Sequence, residues 1–364
     1  MEYVQERVTT LHALADPPAV EGLEQTLAET AVVVPMTDRE EASLAAEGVL
    51  ATLEGLSVHS VVVPVRAAPE RIAPMRDWLE SFDLPVTVLW CNAPAMTDRL
   101  AAAGLENGFG KGRDVWLALG VAAERAPFVA VHDADATSYG PHVLRRLVAP
   151  LSMEYAFAKG YYARVEEGRL YGRLERLFVQ PLLAAAASAL EAPVLEYLGA
   201  FRYVLAGEVA MTAELARRLR PQPAWGLEVA TLGDAHAHVG AGQTAQVDLG
   251  RHAHDHRAVA GETGLEGMSR EVGRAIARVL ETNGLEPDYA SLRERYLTVG
   301  TRLLEQYAAD AAFNGLAHDV DTERGQLERY AEAIAPPGPD RRLPAWRDVD
   351  LTAAGIREAA QSHH

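Results

Sequence analysis

Along the first 250 residues, short apolar blocks alternate with longer stretches whose apolar positions recur at helical spacing. The blocks at 31–35, 58–65, 85–90, 128–131 and 155–165 are rich in Val and Ala, and their length suits buried strands. Between them, residues 42–53, 69–82, 114–124 and 141–151 carry the period of amphipathic helices. Strands alternating with helices every twenty-odd residues predict βαβ units and an α/β fold with a mostly parallel, doubly wound sheet. Farther on, the pattern predicts a helix over 182–190, a strand over 201–205, and a helix opening within 206–212. A further helix begins in 224–228 and a last strand covers 243–249. Beyond Leu265 only helical periodicity remains, over 268–281, 289–312 and 321–334. The expected organisation is a lead segment at 1–29, a Rossmann-like domain at 30–262, a helical extension at 263–335 that packs on it, and a weakly structured tail at 336–364 opened by Pro336-Pro-Gly-Pro339.

Candidate chemistry sits where one apolar block stops. The strand 128–131 runs into His132-Asp-Ala-Asp135, two carboxylates one residue apart. In open α/β sheets ligands sit outside the carboxyl ends of strands. A DxD pair there can hold a divalent cation and leave positions for phosphate oxygens, although a lone DxD is more often a pair of loop aspartates. Upstream, Gly110-Lys-Gly-Arg113 precedes a helix, an arrangement able to meet phosphate through backbone N–H groups and fixed positive charge. It lacks the Gly-Lys-Ser/Thr spacing of a Walker loop.

Composition narrows the partners. A hydrophobic fraction of 49% and a charged fraction of 23% are those of a soluble globular protein. No apolar run is long enough to span a bilayer, the first residues show no secretory segment, and a single cysteine leaves no disulfide framework. A cytoplasmic location is the expectation. The net charge of −17 argues against binding nucleic acid, which needs a basic face. Only two lysines occur, Lys111 and Lys159, so neither belongs to a generic basic surface.

Taken in order, PMTDREE (35–41), GFGKGRDVW (108–116), HDAD (132–135), FAKGYY (157–162), GRLERLFVQPLL (172–183), LAGEVAMT (205–212), WGLE (225–228), QVDLGRHAHDHR (246–257) and GMSREV (267–272) resemble the glucosyl-3-phosphoglycerate synthases and their mannosyl-transferring relatives. The resemblance covers roughly residues 30 to 275. It implies a GT-A fold and a retaining hexosyl transfer from a nucleotide-sugar donor to a small acidic acceptor, foremost 3-phosphoglycerate, with Mg2+ or Mn2+ as cofactor and a homodimeric assembly.

Carried over by position, Asp135 and His254 would hold the metal. Asp133 would contact the donor ribose or sugar, Lys111 would lie beside the donor, and Glu228 would meet the sugar. Pro35, Met36, Thr37 and Glu40 fall on the donor segment and Arg257 on the arginine of a closing loop. Gly172, Arg173, Glu175 and His256 fall at the acceptor, and Asp135, Glu228 and Lys111 are the residues expected to support catalysis. Two departures stand out. The donor segment reads Asp38-Arg-Glu-Glu41 where the family shows Asn-Glu-Glu, and Glu175 stands where the family offers a phosphate-binding hydroxyl. The arginines Arg169, Arg173 and Arg176 suit an anionic acceptor, or else pair with Glu166, Glu167 and Glu175 on the surface. A sugar nucleotidylyltransferase and a silent nucleotide-sugar binding protein remain the alternatives. The first would carry a glycine-rich basic loop after its first strand, and the second would not require Lys111, Asp133, Asp135 and His254 together.

Overall fold

A computed structural model describes residues 5–106, 108–253 and 264–361. Its centre is a sheet of ten strands: β1 (Thr9–Leu11), β2 (Thr30–Val33), β3 (Met36–Thr37), β4 (Ser60–Arg66), β5 (Val86–Trp90), β6 (Phe128–Val131), β7 (Phe157–Glu166), β8 (Arg169–Leu170), β9 (Val209–Thr212) and β10 (Thr244–His252). The order is β1-β10-β7-β9-β6-β2-β4-β3, with β5 also on β4 and β8 on β7. All pairings are parallel except those of β9 with β6 and β7 and the β7–β8 hairpin. Helices cover both faces, so β2 and β4 are buried almost throughout and read as unbroken apolar runs.

Register decides which loops share an edge. Val33 and Val131, the last residues of β2 and β6, lie level, so the segments after these two strands leave the sheet side by side. This brings Pro35–Thr37 and His132–Asp135 to one rim, the carboxyl edge where such sheets bind ligands. The reversed strand β9 supplies the remaining piece. Val209 pairs with both Val131 and Lys159, so the residues entering β9, Gly207 and Glu208, arrive at that same rim.

Here the structure corrects the sequence reading. Residues 201–205 form no strand, and in the segment expected to open a helix at 206–212 the residues Val209–Thr212 are β9, with the short helix Ala213–Ala216, capped by Thr212, only after it. Four apolar residues carry no period that separates strand from helix, and the hydrogen-bonding partners β6 and β7 decide the matter. The acceptor turn also ends differently, in a stretch of π-helix at Glu175–Val179 that leads into the helix Gln180–Ala187.

The helices beyond Leu265 pack on the sheet domain. Leu265–Thr282 lies along Leu227–His238, and Tyr289–Phe313 lies along Gln180–Ala187. Buried Tyr296 ties them together by donating to the carbonyls of Leu177 (2.6 Å) and Leu327 (3.1 Å). The tail, expected to be weakly structured, instead folds back on the core. Trp346 stacks edge-on to Trp116 at 5.0 Å, the Trp116 indole donates to the Pro344 carbonyl, and the helix Ala353–Gln361 packs on β5 and on the helix Lys111–Arg125. Its buried residues Ala353, Ile356, Ala359 and Ala360 form one apolar stripe too short to stand out among the prolines before it. No helix among the described residues is long and apolar enough to cross a membrane.

Candidate active site

The glycine-rich stretch before Lys111 is held against the 222–224 segment. Arg113 donates its backbone N–H to the Pro223 carbonyl at 2.9 Å, and a Cβ on Gly112 would sit 1.9 Å from the Gln222 carbonyl oxygen. Only glycine permits that approach. The consequence is positional: Lys111 becomes the first residue of the helix Lys111–Arg125, with its side chain over the rim of the sheet. There its ammonium forms an ion pair with the Asp133 carboxylate. Burial alone would lower the Lys111 pKa, but Asp133, Glu228 and Asp135 together outweigh it and raise it, so the side chain stays a cation. Glu228, second residue of the helix Leu227–His238, lines a small, mostly apolar pocket with Lys111, Ala206 and Gly207.

Asp135 lies two residues beyond Asp133. Burial and the neighbouring Asp133 push its pKa up to about 6, against the pull of Lys111 and Arg164. Its Oδ1 is buried and accepts no hydrogen bond from the described residues. A hard carboxylate oxygen, desolvated and crowded by a second carboxylate, is a fitting ligand for a divalent cation, whose charge would relieve both costs. Among the described residues no group of three or more His, Cys, Asp or Glu could hold a metal. His254, with His256 and Arg257, lies outside the described residues. What is described is the chain immediately before them. Ala253 accepts from the Thr137 N–H (2.8 Å) and donates its own N–H to Ser138 Oγ (3.0 Å), which ties the end of β10 to the loop that carries Asp135.

The donor segment is locally organised. Glu40 accepts from the backbone N–H of Thr37 (2.6 Å) and from its hydroxyl (2.7 Å), which fixes the turn after β3. Pro35 and Met36 lie at the carboxyl end of β2, and Asp38 accepts from the Ala68 N–H at 3.2 Å. Beside them exposed Phe109 has the guanidinium groups of Arg66 and Arg113 about its ring, at 5.3 and 5.0 Å.

At the acceptor turn the residues separate. Gly172 packs against the Tyr203 hydroxyl and Arg173 is exposed, whereas Glu175 is 3% exposed and directed inward. Its carboxylate accepts from the N–H groups of Val204 and Leu205, both at 3.0 Å, and from Gln180 at 2.7 Å. Arg176 is buried too and makes a two-pronged contact with Glu323 of the helical extension at 3.0 and 2.6 Å. The arginine-rich turn is therefore neither a uniform anion site nor a surface salt-bridge cluster.

Sequence reasoning passed over Glu208. It is 1% exposed, directly precedes β9 at the rim, and has its pKa pushed up to about 7 by burial and by the nearby Asp133. His252, 3.7 Å from it, is stacked on Tyr162 at 4.5 Å and kept neutral by burial, with a pKa of about 4. An acid embedded in the apolar run LAGEVAMT was the available signal.

No family model matches the chain. It is 30% identical to the glucosyl-3-phosphoglycerate synthase of Methanococcoides burtonii, over 98% of this chain and 96% of that one. It is 33% identical to the protein of the same name from Persephonella marina, over 74% of this chain and 70% of that one. Among solved structures, the glucosyl-3-phosphoglycerate synthase of Mycobacterium tuberculosis in complex with Mn2+, UDP-glucose and phosphoglyceric acid matches with a TM-score of 0.58 and 26% identity, over 78% of this chain and 90% of that one. The same enzyme with Mg2+ and UDP matches with a TM-score of 0.55 and 27% identity, over 77% of this chain and 88% of that one.

Proposed function

The chain belongs to the glucosyl-3-phosphoglycerate synthase family, and from that premise we propose that it transfers glucose from UDP-glucose to 3-phosphoglycerate with retention at the anomeric carbon. The observation that carries this reading is the rim itself: a Lys111–Asp133 ion pair beside an Asp135 oxygen that accepts no hydrogen bond from the described residues, with Glu228 sharing a small pocket with Lys111. A bound Mn2+ or Mg2+, held by Asp135 and His254, would supply charge neutralisation for the departing diphosphate. Lys111 holds a fixed positive charge toward the same phosphates, in a site walled by the helix that bears it. Asp133 is fixed by Lys111 in reach of donor hydroxyls, and Glu228 is the second carboxylate for the sugar. Pro35, Met36, Thr37 and Glu40 form the donor edge, and Arg257 follows the metal-binding histidine. Exposed Arg173, with Gly172 and His256, receives the anionic acceptor.

Glu175 does not repel an acceptor phosphate on this reading, because its charge is spent on backbone amides in the interior. The glucosyl bond to the diphosphate breaks as the acceptor hydroxyl oxygen bonds to the same face of the anomeric carbon and its proton passes to the departing diphosphate oxygen, so positioning supplies much of the rate. Dimerisation through the helical extension and a cytoplasmic setting belong to the same reading. Sedimentation at micromolar concentration tests the former.

The decisive assay offers 3-phosphoglycerate and glycerate side by side, each with UDP-glucose, GDP-glucose and GDP-mannose, in Mn2+ or Mg2+. The expected product is glucosyl-3-phosphoglycerate from UDP-glucose. Nucleotidyl transfer to a sugar phosphate, or transfer to neutral acceptors alone, would overturn the reading.

A further inference from the structure

The segment 201–206 crosses the active rim without strand or helix, so its backbone groups have no ladder to satisfy them. Two buried charges meet it instead. The Glu175 carboxylate takes the consecutive N–H groups of Val204 and Leu205, one on each oxygen, both at 3.0 Å. The Lys159 ammonium, 1% exposed, donates to the Ala206 carbonyl at 2.6 Å. Gln180 completes the cradle by donating to both Glu175 (2.7 Å) and the Phe201 carbonyl (3.3 Å). The next residue, Gly207, lies so close to the DxD motif that a Cβ there would be 3.0 Å from Asp133 Oδ2. Ala206 and Gly207 form a wall of the small pocket shared with Lys111 and Glu228.

We propose that Glu175 is a positioning residue: together with Lys159, which holds the Ala206 carbonyl, it clamps the Val204–Gly207 segment and so sets the wall against which Asp133 and the transferred sugar are held. Glu175 acts on the reaction through that backbone and makes no contact with acceptor phosphate. The physical case rests on what the interior demands. A carboxylate is kept in an apolar interior only where its oxygens are satisfied, and two adjacent amides with a side-chain amide satisfy them. A buried lysine likewise requires opposite charge, which Lys159 finds in Glu228 and Glu208 first and in Glu175 after them. The π-helical turn at Glu175–Val179 carries the carboxylate on its first residue, and an inserted residue of this kind re-aims side chains at functional sites. The kinetic part of this inference rests on the transferase reading above, whereas its structural part does not.

The test uses the full chain and two readouts. In the wild type, hydrogen exchange at the Val204 and Leu205 amides should be slow, comparable with nearby buried strands. In Glu175→Thr, which restores the family's hydroxyl, exchange at those two amides should accelerate at least about ten-fold, while Val129 and Ala130 in β6 stay protected. Turnover in that variant should fall by about 10- to 100-fold, in kcat, with little change in KM for 3-phosphoglycerate. A lower KM for 3-phosphoglycerate with kcat retained would mean that Glu175 faces the acceptor and would overturn the proposal. So would wild-type Val204 and Leu205 amides exchanging as fast as exposed ones, an outcome that needs no variant to fold. Glu175→Gln, which keeps volume and one accepting oxygen, should fall between wild type and the threonine variant in both readouts. Absence of any glucosyl transfer by the wild type would count against the proposed activity alone, since the exchange measurement still judges the clamp.

Discussion

Replacing Glu323 by glutamine weakens the contact that joins the helical extension to the acceptor turn, along with the 2.9 Å contact of His318 to the same carboxylate. Arg176 donates to both Glu323 oxygens, at 3.0 and 2.6 Å, and also to the Tyr171 carbonyl at 3.1 Å, with Tyr307 beneath its guanidinium at 4.9 Å. Both partners are under a tenth exposed, so solvent does little to screen the pair. Removing one member of a buried, two-pronged ion pair costs about 3–5 kcal/mol, mostly because the survivor is stranded. Glutamine keeps the volume and one accepting oxygen, which places Glu323→Gln at the lower end, about 3 kcal/mol. Urea unfolding at pH 7, followed by circular dichroism and by tryptophan fluorescence, measures this directly. The double variant Arg176→Met/Glu323→Leu should recover more than half of the loss, because it strands no guanidinium and leaves only the His318 ring without its carboxylate partner. Burial alone would raise the Glu323 pKa, but the Arg176 and His318 donors prevail and lower it from 4.5. The pair's contribution is therefore fully present above pH 4.5 and is lost as pH falls through the lowered folded value, so the gap between wild type and Glu323→Gln should close in acid. A loss below about 0.5 kcal/mol at pH 7, the range of an indifferent surface change, would refute the reasoning.

Lys111→Met should lower kcat/KM by about 100- to 1,000-fold and weaken UDP binding measured by calorimetry, and a loss under five-fold would remove Lys111 from the phosphate site. Asp135→Asn should abolish Mn2+ binding followed by electron paramagnetic resonance while leaving the circular dichroism spectrum unchanged, and chelator treatment of the wild type should stop turnover until Mn2+ or Mg2+ is returned. Asp234 is buried, which pushes its pKa from 3.8 up to about 6 even though the Arg220 amide and Arg342 favour its charge and Asp340 opposes it. Its folded state binds the proton more tightly, so stability falls as pH rises from about 4 to 6, and Asp234→Asn should remove that slope and gain up to about 3 kcal/mol at pH 7. A variant no more stable than wild type at pH 7 would contradict this.

Local pattern carried much of the architecture. The strands around 31–35, 58–65, 85–90 and 128–131 are short β-branched runs between helices of strong period, and the parallel sheet follows from that alternation. The Asp133–Asp135 pair was legible because polar residues that stop an apolar run mark the rim of such a sheet. β9 was not legible, since VAMT can be strand or helix until β6 and β7 claim its hydrogen bonds. Glu208 stayed hidden for the same reason: its place beside Asp133 comes from the reversed direction of that strand. The tail was misjudged because Pro336-Pro-Gly-Pro339 announces a break in local structure without saying what lies beyond it. Trp346 nonetheless has a seat on Gly120, whose missing side chain makes room for the indole.

Sequence alone thus determined the fold class, the family, and Asp133, Asp135 and Lys111 as residues of the sheet's rim, because each is written in contiguous residues with a local physical meaning. Tertiary structure alone decided which acids and arginines face the rim and which serve the interior. Glu175, Arg173 and Arg176 lie within four positions of one another, yet one turns inward to the amides of Val204 and Leu205, one stays exposed, and one locks onto Glu323, 147 residues away in the chain. A side chain's partner is set by whatever the fold brings within 3 Å of it, and no spacing along the chain records that distance.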